Sequence, residues 1–340
     1  MIALIVGVSG QDGSYLAEFL LDMKYTVHGM VRRSSESLER SRLIRLQKRA
    51  GFVLHMGDLA DAATLHDIIT RIRPTEIYNL AAQSNVRASF DMPEYTSDVN
   101  GLGFVRLIQV VRAVGISTSC KIFQASSSEM FGEYGGKCNE DICFRPCSPY
   151  AIAKVYAHFM GGLYRTAYGM HISCGIMFNH ESPVRGDVFV TRKITRGVAM
   201  IRHGLMECVS LGNLDARRDW GHARDYVYAM WLMLQQPTPA DYVLATGETH
   251  SVREFCTLAF QLAGLPITFS GKGVEEIGTD TTGVVRVRVD QGLFRPVDVN
   301  VTCGDASRAS TVLGWKPTIT FEELVKDMIQ ADLESLQTLQ

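Results

Sequence analysis

A chain of 340 residues can bury a sizeable core, and at roughly 100–200 residues per domain it forms one large domain or two intimate lobes sharing a cleft. With 46% hydrophobic and 21% charged residues its composition is that of an ordinary globular protein. A formal net charge of −2 leaves no global field to recruit nucleic acid or an anionic membrane, and no uncharged apolar run approaches the ~18 residues needed to cross a bilayer.

The stretch Met1 to Val8 is apolar, lacks a basic n-region and runs straight into a glycine-rich turn, so a buried first strand is expected rather than a leader. Short β-rich runs then alternate with helical patterns. Strands are expected at Ile2 to Val8, Thr26 to Val31, Gly51 to His55, Glu76 to Leu80, Lys121 to Ala125 and His171 to Met177. Helices are expected between them at Ser14 to Met23, Asp61 to Ile72 and Gly103 to Val114. This alternation predicts repeated βαβ units, hence an α/β fold with a Rossmann-like, doubly wound parallel sheet covered on both faces. Cys138, Cys143 and Cys147 cluster, but without a C-x-x-C pair they make a poor zinc site, and no metal is expected. The eight cysteines lack the dense, even pattern of a small secreted scaffold, so reduced thiols and a cytoplasmic protein are expected.

After Asn179 the rhythm breaks. Pro183, Gly186, a basic segment and a loop at Gly212 to Trp220 precede a helix from about Ala223 to Leu234, and Tyr242 to Ala245 reads as a strand returning to the sheet. The remainder, with a helix through Arg253 to Leu262, a loop at Gly271 to Gly283 and a C-terminal helix from Phe321, reads as a smaller α+β lobe. The expected division is a dinucleotide-binding domain at 1–178, with returning segments at about 213–245, and a substrate lobe at 179–212 and 246–340.

Between the first strand and first helix stands Gly7-Val8-Ser9-Gly10-Gln11-Asp12-Gly13, spaced G-x-x-G-x-x-G. Glycines there let the backbone turn sharply and approach a pyrophosphate, whose charge meets free N–H groups at the helix N-terminus. About twenty residues on, where an acid would mark NAD, come Arg32, Arg33, Ser34 and Ser35. Guanidinium and hydroxyl groups suit a 2′-phosphate, which points to NADP. Arg40, Arg42 and Arg45 follow closely, so a solvated basic loop is the alternative.

The segment Ser148-Pro149-Tyr150-Ala151-Ile152-Ala153-Lys154 opens a helix, with Ser148 as N-cap and Pro149 at the first helical position. Tyr150 and Lys154 then share one face, where an ammonium favours the phenolate and makes Tyr150 a base for a sugar hydroxyl. Upstream, the fifth strand runs into Ser126-Ser127-Ser128-Glu129, at the edge where open α/β sheets place their ligands. A simple reductase or 4-epimerase needs only hydroxyl, tyrosine and lysine. A dehydratase must also remove a carbon-bound proton and expel water, and Glu129 supplies a carboxylate for that.

Several longer segments narrow the reading: G-Q-D-G-S-Y-L-A-E-F-L-L (10–21), V-R-R-S-S (31–35), E-I-Y-N-L-A-A-Q-S (76–84), F-N-H-E-S-P (178–183), F-V-T-R-K-I-T-R (189–196), G-N-L-D-A-R-R-D-W-G-H-A-R-D-Y-V (212–227) and A-T-G-E-T-H-S-V-R-E-F (245–255). Over essentially its whole length the chain resembles the GDP-mannose 4,6-dehydratase family of extended short-chain dehydrogenase/reductases. The resemblance implies NADP contacts from the Gly7 turn with Gly10, Gln11, Asp12 and Gly13, from Arg32 to Ser35, Asp58, Leu59, Leu80, Ala81, Ala82, Gln83, Ser84, Tyr95, Lys154, His180 and Arg185. It implies GDP-sugar contacts from Ser84, Asn179, Lys193, Arg218 and Arg295, and catalysis by Ser127, Glu129, Tyr150 and Lys154. It also implies a homo-oligomer, dimer or tetramer, using the arginine-rich segment Arg32 to Arg45 at a subunit contact. Ser127 stands where the family has a catalytic threonine, Val184 where many members have an arginine, and Cys138 to Cys147 in place of a proline- and acid-rich loop. A nucleotide-sugar 4-reductase or epimerase of the same family, a bifunctional relative, and a non-catalytic NADP-binding sensor remain as alternatives.

Overall fold

The computed structural model describes residues 1–33, 42–294, 297 and 299–337. In the first half the strands are β1 (Ile2–Val6), β2 (Thr26–Val31), β3 (Phe52–Met56), β4 (Glu76–Asn79), β5 (Lys121–Ser127) and β6 (Ile172–Met177). The helices between them are α1 (Gln11–Asp22), α2 (Leu43–Gln47), α3 (Ala62–Ile72), α4 (Val86–Asp91), α5 (Pro93–Ser97), α6 (Gly103–Ala113) and α7 (Pro149–Tyr168). Strand β1 shows why the pattern yields a sheet buried on both faces: Ala3 and Ile5 enter one core with α1, while Leu4 and Val6 enter the other with α3, α6 and α7.

The second half contributes β7 (Asn179–Glu181), α8 (Val190–Arg202), β8 (Val209–Leu211), β9 (Arg217–Arg218), β10 (Trp220–His222), α9 (Ala223–Gln235) and β11 (Tyr242–Leu244). It continues through β12 (His250–Ser251), α10 (Val252–Leu262), β13 (Ile267–Ser270), β14 (Ile277–Asp280), β15 (Val285–Val289), β16 (Val301–Thr302) and α11 (Phe321–Gln337). Strand β11 returns to pair with β6, completing a seven-stranded parallel sheet ordered β11-β6-β5-β4-β1-β2-β3. The chain winds outward from β1 to β3 and then resumes at β4 on the other side of β1. The switch point therefore lies at the carboxyl ends of β1 and β4, where doubly wound sheets bind ligands.

A separate core unites α8, α10 and α11 with the four-stranded sheet β13-β14-β15-β8, and Leu214, Ala216 and Trp220 pack into it. Two expected loops carry strands instead. Residues 212–220 hold β9 and the start of β10, two- and three-residue strands too short for an alternating pattern to register. Within 271–283, β14 pairs with β13 and with β15, and Asp280 closes the tight turn to β15, accepting from the amides of Thr282 (2.9 Å) and Val284 (3.0 Å) and from Arg286 Nε (2.7 Å). The first helix begins at Gln11 rather than Ser14, directly after the extended Gly10.

Candidate active site

Gly7 (φ +90°) ends β1 and turns the chain beneath the segment leaving β4. A Cβ there would stand 2.8 Å from Ala81 Cα, and one at Gly13 would stand 2.5 Å from Gly7 O, so both positions require glycine. The turn delivers the N-terminus of α1, with no side-chain cap, to the switch point: a cradle that fits the pyrophosphate of a dinucleotide. At the end of β2, Arg32 contacts the Tyr95 hydroxyl, and Arg33 follows on the surface. Ser34 and Ser35 lie outside the described residues. Asp58 closes the turn after β3 by accepting from Ala60 N (2.9 Å), and Leu59 is buried against Gly103. Gln83 is held by its backbone to the Asn100 side chain (2.8 and 2.9 Å). Arg42, which the sequence offers as a solvated or subunit-facing residue, turns inward. It donates to Ser9 O (2.9 Å) and to the carbonyl of Val184 (2.7 Å), bridging the glycine turn to the loop after β7.

A cavity of about 480 Å³ opens beside this cradle. Leu80, Ala82 and Ser84 line it from the β4 side, and Ser127, Glu129, Tyr150 and Lys154 from the β5–α7 side. Helix α7 starts as expected, Ser148 Oγ accepting from Ala151 N (3.1 Å) ahead of Pro149. One turn apart, Tyr150 and Lys154 face inward, with Lys154 Nζ 5.7 Å from the Tyr150 ring centroid and donating to Ala125 O (2.8 Å). Burial pushes Lys154 down to about 8. Burial pushes Tyr150 up to about 12, the Ser127 hydroxyl pulling it back and the Glu129 carboxylate adding to the rise. Ser127 ends β5 and its hydroxyl accepts from Glu129 N (3.3 Å), which fixes the turn that presents Glu129.

Asn179, His180, Arg185, Lys193 and Arg218 complete the wall, while Arg295 lies outside the described residues. Burial holds Lys193 below its ordinary value, with Asp290 opposing. Sequence reasoning missed Phe189, over whose ring the Arg185 guanidinium lies at 3.7 Å, and the apolar group Trp220, Leu293 and Phe294. Phe189 and Trp220 fall inside two of the long matching segments, the one signal that could have raised them. It also missed Glu181, which accepts from Thr191 Oγ1 (2.6 Å) and pairs with Arg185 Nε (3.0 Å), holding the loop between them.

Helix α7 is tied to the sheet by a further network. His158 Nδ1 meets Ser126 Oγ (3.0 Å), and Arg165 grips Asp241, which also accepts from Cys174 N (3.2 Å). Among the described residues His158, Cys174 and Asp241 are the one trio with metal-ligand character, but the guanidinium already occupies the carboxylate. The cysteine loop has a packing role: Cys138 N donates to Cys303 O (2.8 Å) and Glu140 accepts from Val243 N (2.8 Å), covering the edge beside β11.

A tyrosine and lysine on the helix after β5, set against a glycine turn at the switch point, is the arrangement of short-chain dehydrogenase/reductases, and fold and site assign the chain to that class. Solved structures agree on the fold: dTDP-glucose 4,6-dehydratase from Bacillus anthracis in complex with NAD superimposes with a TM-score of 0.81 at 20% identity, covering 99% of this chain and 98% of that one. RMD from Pseudomonas aeruginosa complexed with NADPH gives 0.76 at 22%, covering 98% and 99%. In sequence, the GDP-mannose 4,6 dehydratase of Drosophila melanogaster is 51% identical over 99% of this chain and 87% of its own length. Residues 4–328 match the GDP-mannose 4,6 dehydratase family as a whole, and the chain belongs to that family.

Proposed function

We propose that this enzyme converts GDP-D-mannose to GDP-4-keto-6-deoxy-D-mannose. The observation that carries the reading is the meeting of Tyr150, Ser127 and Glu129 in one cavity that Lys193 and Arg218 also line. A diphosphate gripped by those cations places a hexose at a fixed distance from Tyr150. Tyr150 takes the C4 hydroxyl proton, Lys154 supporting the phenolate. NADP⁺, held by the Gly7 to Gly13 turn and Arg32, would supply the redox chemistry, a hydride acceptor for C4 and donor for C6. The ketone at C4 acidifies C5. Glu129 removes the C5 proton and delivers it to the C6 hydroxyl, which leaves as water with Ser127 as hydrogen-bonding partner. The proton taken up by Tyr150 balances the one C5 regains, so the net change is loss of one water.

NADP rather than NAD is supported by Arg32, with no acid at the end of β2. The remaining cofactor and sugar contacts are assigned as the resemblance implies them, with 1–178 and about 213–245 holding the cofactor and 179–212 with 246–340 holding the nucleotide sugar. A homo-oligomer is supported by the outer face of α7, where Ile152, Tyr156, Phe159 and Leu163 are exposed at helical spacing. Eight unpaired thiols suit the cytoplasm, and no helix among the described residues is long and apolar enough to cross a membrane. Incubation with GDP-mannose and NADP⁺ tests the reading: the sugar should lose one water while the cofactor ends unchanged, and recovery of intact GDP-mannose or of a C4 epimer would refute it.

A further inference from the structure

Asp12 is an anomaly in a phosphate cradle. A carboxylate in the first turn of α1 would repel a pyrophosphate if it faced one. Here it lines the same cavity as Lys154, and both of its oxygens are taken up within the protein. One oxygen accepts from Gln11 Nε2 (3.1 Å) and the other meets His180 Nε2 (2.9 Å), across 168 residues of chain. The other nitrogen of His180, Nδ1, meets the carbonyl of Phe178 (2.7 Å). A carbonyl only accepts, so Nδ1 carries a proton. A carboxylate only accepts, so Nε2 carries one as well. The ring lies flat on Tyr226, with centroids 4.3 Å apart and an interplanar angle of 18°, which fixes its orientation. Gln11 Nε2 also donates to His180 O (3.0 Å) and Ser182 Oγ donates to Gln11 Oε1 (2.7 Å), doubling the link.

We propose that Asp12 and His180 form one buried imidazolium–carboxylate pair, a positioning device that clips the glycine turn to the Asn179–Glu181 strand and sets the Asp12 charge where it supports the Lys154 ammonium. Facing His180 are Asp12 from α1, Arg185 from the loop after β7, and Tyr226 from α9. Lys154 shares the lining of one cavity with Asp12 from α1, Glu129 from the turn after β5 and Tyr150 from its own helix. Burial works against the charge on His180, yet Asp12 outweighs it and the ring is raised above its ordinary value. Burial likewise resists ionisation of Asp12, which His180 nevertheless holds below its usual range. At Lys154 burial depresses the ammonium, and Asp12 is the charge that opposes the fall. Removing Asp12 therefore moves the loss of the Lys154 proton to still lower pH.

Two measurements test the pair in the full chain. Ring nitrogen NMR of ¹⁵N-histidine-labelled protein, with His180→Gln to assign the signal, should show both nitrogens of His180 protonated at pH 7; a neutral tautomer there would overturn the proposal. The second rests on the dehydratase reading. In Asp12→Asn the alkaline limb of the kcat/KM profile should move to lower pH by about one unit, and Asp12→Glu should bring it back. A uniform loss of activity with the limb unmoved would mean that Asp12 acts only as structural support and would overturn the link to Lys154. The ring measurement decides the pair whether or not GDP-mannose is turned over, so its failure and that of the dehydratase reading are distinguishable.

Discussion

The proposed role of Lys154 requires a cation in a place that resists cations, and replacing it by methionine should stabilise the protein while abolishing activity. Its ammonium is held at about 8 in the fold against an ordinary 10.5. Between those values the unfolded chain binds the proton more tightly, so stability rises with pH across the window, and below pH 8 the penalty is fully present. At about 1.4 kcal/mol per unit the penalty is about 3 kcal/mol, and with Lys154 only 4% exposed solvent screening does not reduce it. Methionine keeps the length of the side chain but forfeits the hydrogen bond to Ala125 O, a cost of about 1 kcal/mol at every pH. The net expectation for Lys154→Met is a gain of about 2 kcal/mol at pH 7, falling through zero and turning to a loss of about 1 kcal/mol by pH 10.5. Urea unfolding of both proteins from pH 6 to 10.5, followed by tryptophan fluorescence, measures the difference. A difference that does not change with pH would refute the reasoning, whatever its sign.

Three further variants probe other parts of the molecule. Arg32→Ala, at the end of β2 beside Tyr95, should weaken NADPH binding at least tenfold more than NADH binding by fluorescence titration; equal losses would remove the 2′-phosphate role. Phe159→Glu with Leu163→Glu should convert the proposed oligomer to a folded monomer by light scattering, since charges on the exposed α7 face cannot be buried at a contact; an unchanged mass would refute the proposed contact at α7. Asp219 is buried and accepts from Thr246 N (2.8 Å) and Oγ1 (2.7 Å), Gly247 N (2.9 Å) and Gly304 N (3.2 Å), so Asp219→Ala should cost about 3–5 kcal/mol in urea unfolding; a loss under 1 kcal/mol would show that water replaces the carboxylate freely.

The parallel sheet was legible because central strands such as β1 and β6 are buried on both faces and read as mainly apolar runs, and because glycine turns punctuate the chain between elements. The Tyr150–Lys154 face and the Ser148 cap were legible for the same local reason: both are set by spacing within one helix. What escaped the sequence depends on contacts between distant segments. Nothing local marks Arg42 as a bridge from Ser9 to Val184, since its partners are backbone carbonyls that any residue could offer. The strands β9 and β12 are two residues each and exist only because tertiary contacts pair them. Asp12 and His180 were both singled out as cofactor contacts, but their mutual hydrogen bond, 168 residues apart, is a property of the fold.

In the proposed mechanism Glu129 is the residue that separates a dehydratase from a plain oxidoreductase, and its substitution bears on both halves of the reaction. Its backbone N–H is fixed by the Ser127 hydroxyl and its carboxylate lines the same cavity as Tyr150. Glu129→Gln preserves size and hydrogen bonding and removes proton acceptance. Tyr150 and Lys154 are untouched, so the C4 hydroxyl can still lose its proton and the sugar can still be oxidised. Elimination, which needs the C5 proton, should stall, slowing formation of the 6-deoxy ketone by about 10²–10⁴-fold, the range for loss of a positioned base. A single-turnover experiment would then show absorbance of reduced cofactor rising and persisting, with GDP-4-keto-mannose recovered on quenching. Tyr150→Phe should show no such rise, because the first proton has nowhere to go. If Glu129→Gln formed the 6-deoxy product at nearly the normal rate, the C5 proton would have to be taken by another group, and the distinction from an oxidoreductase would no longer rest on Glu129.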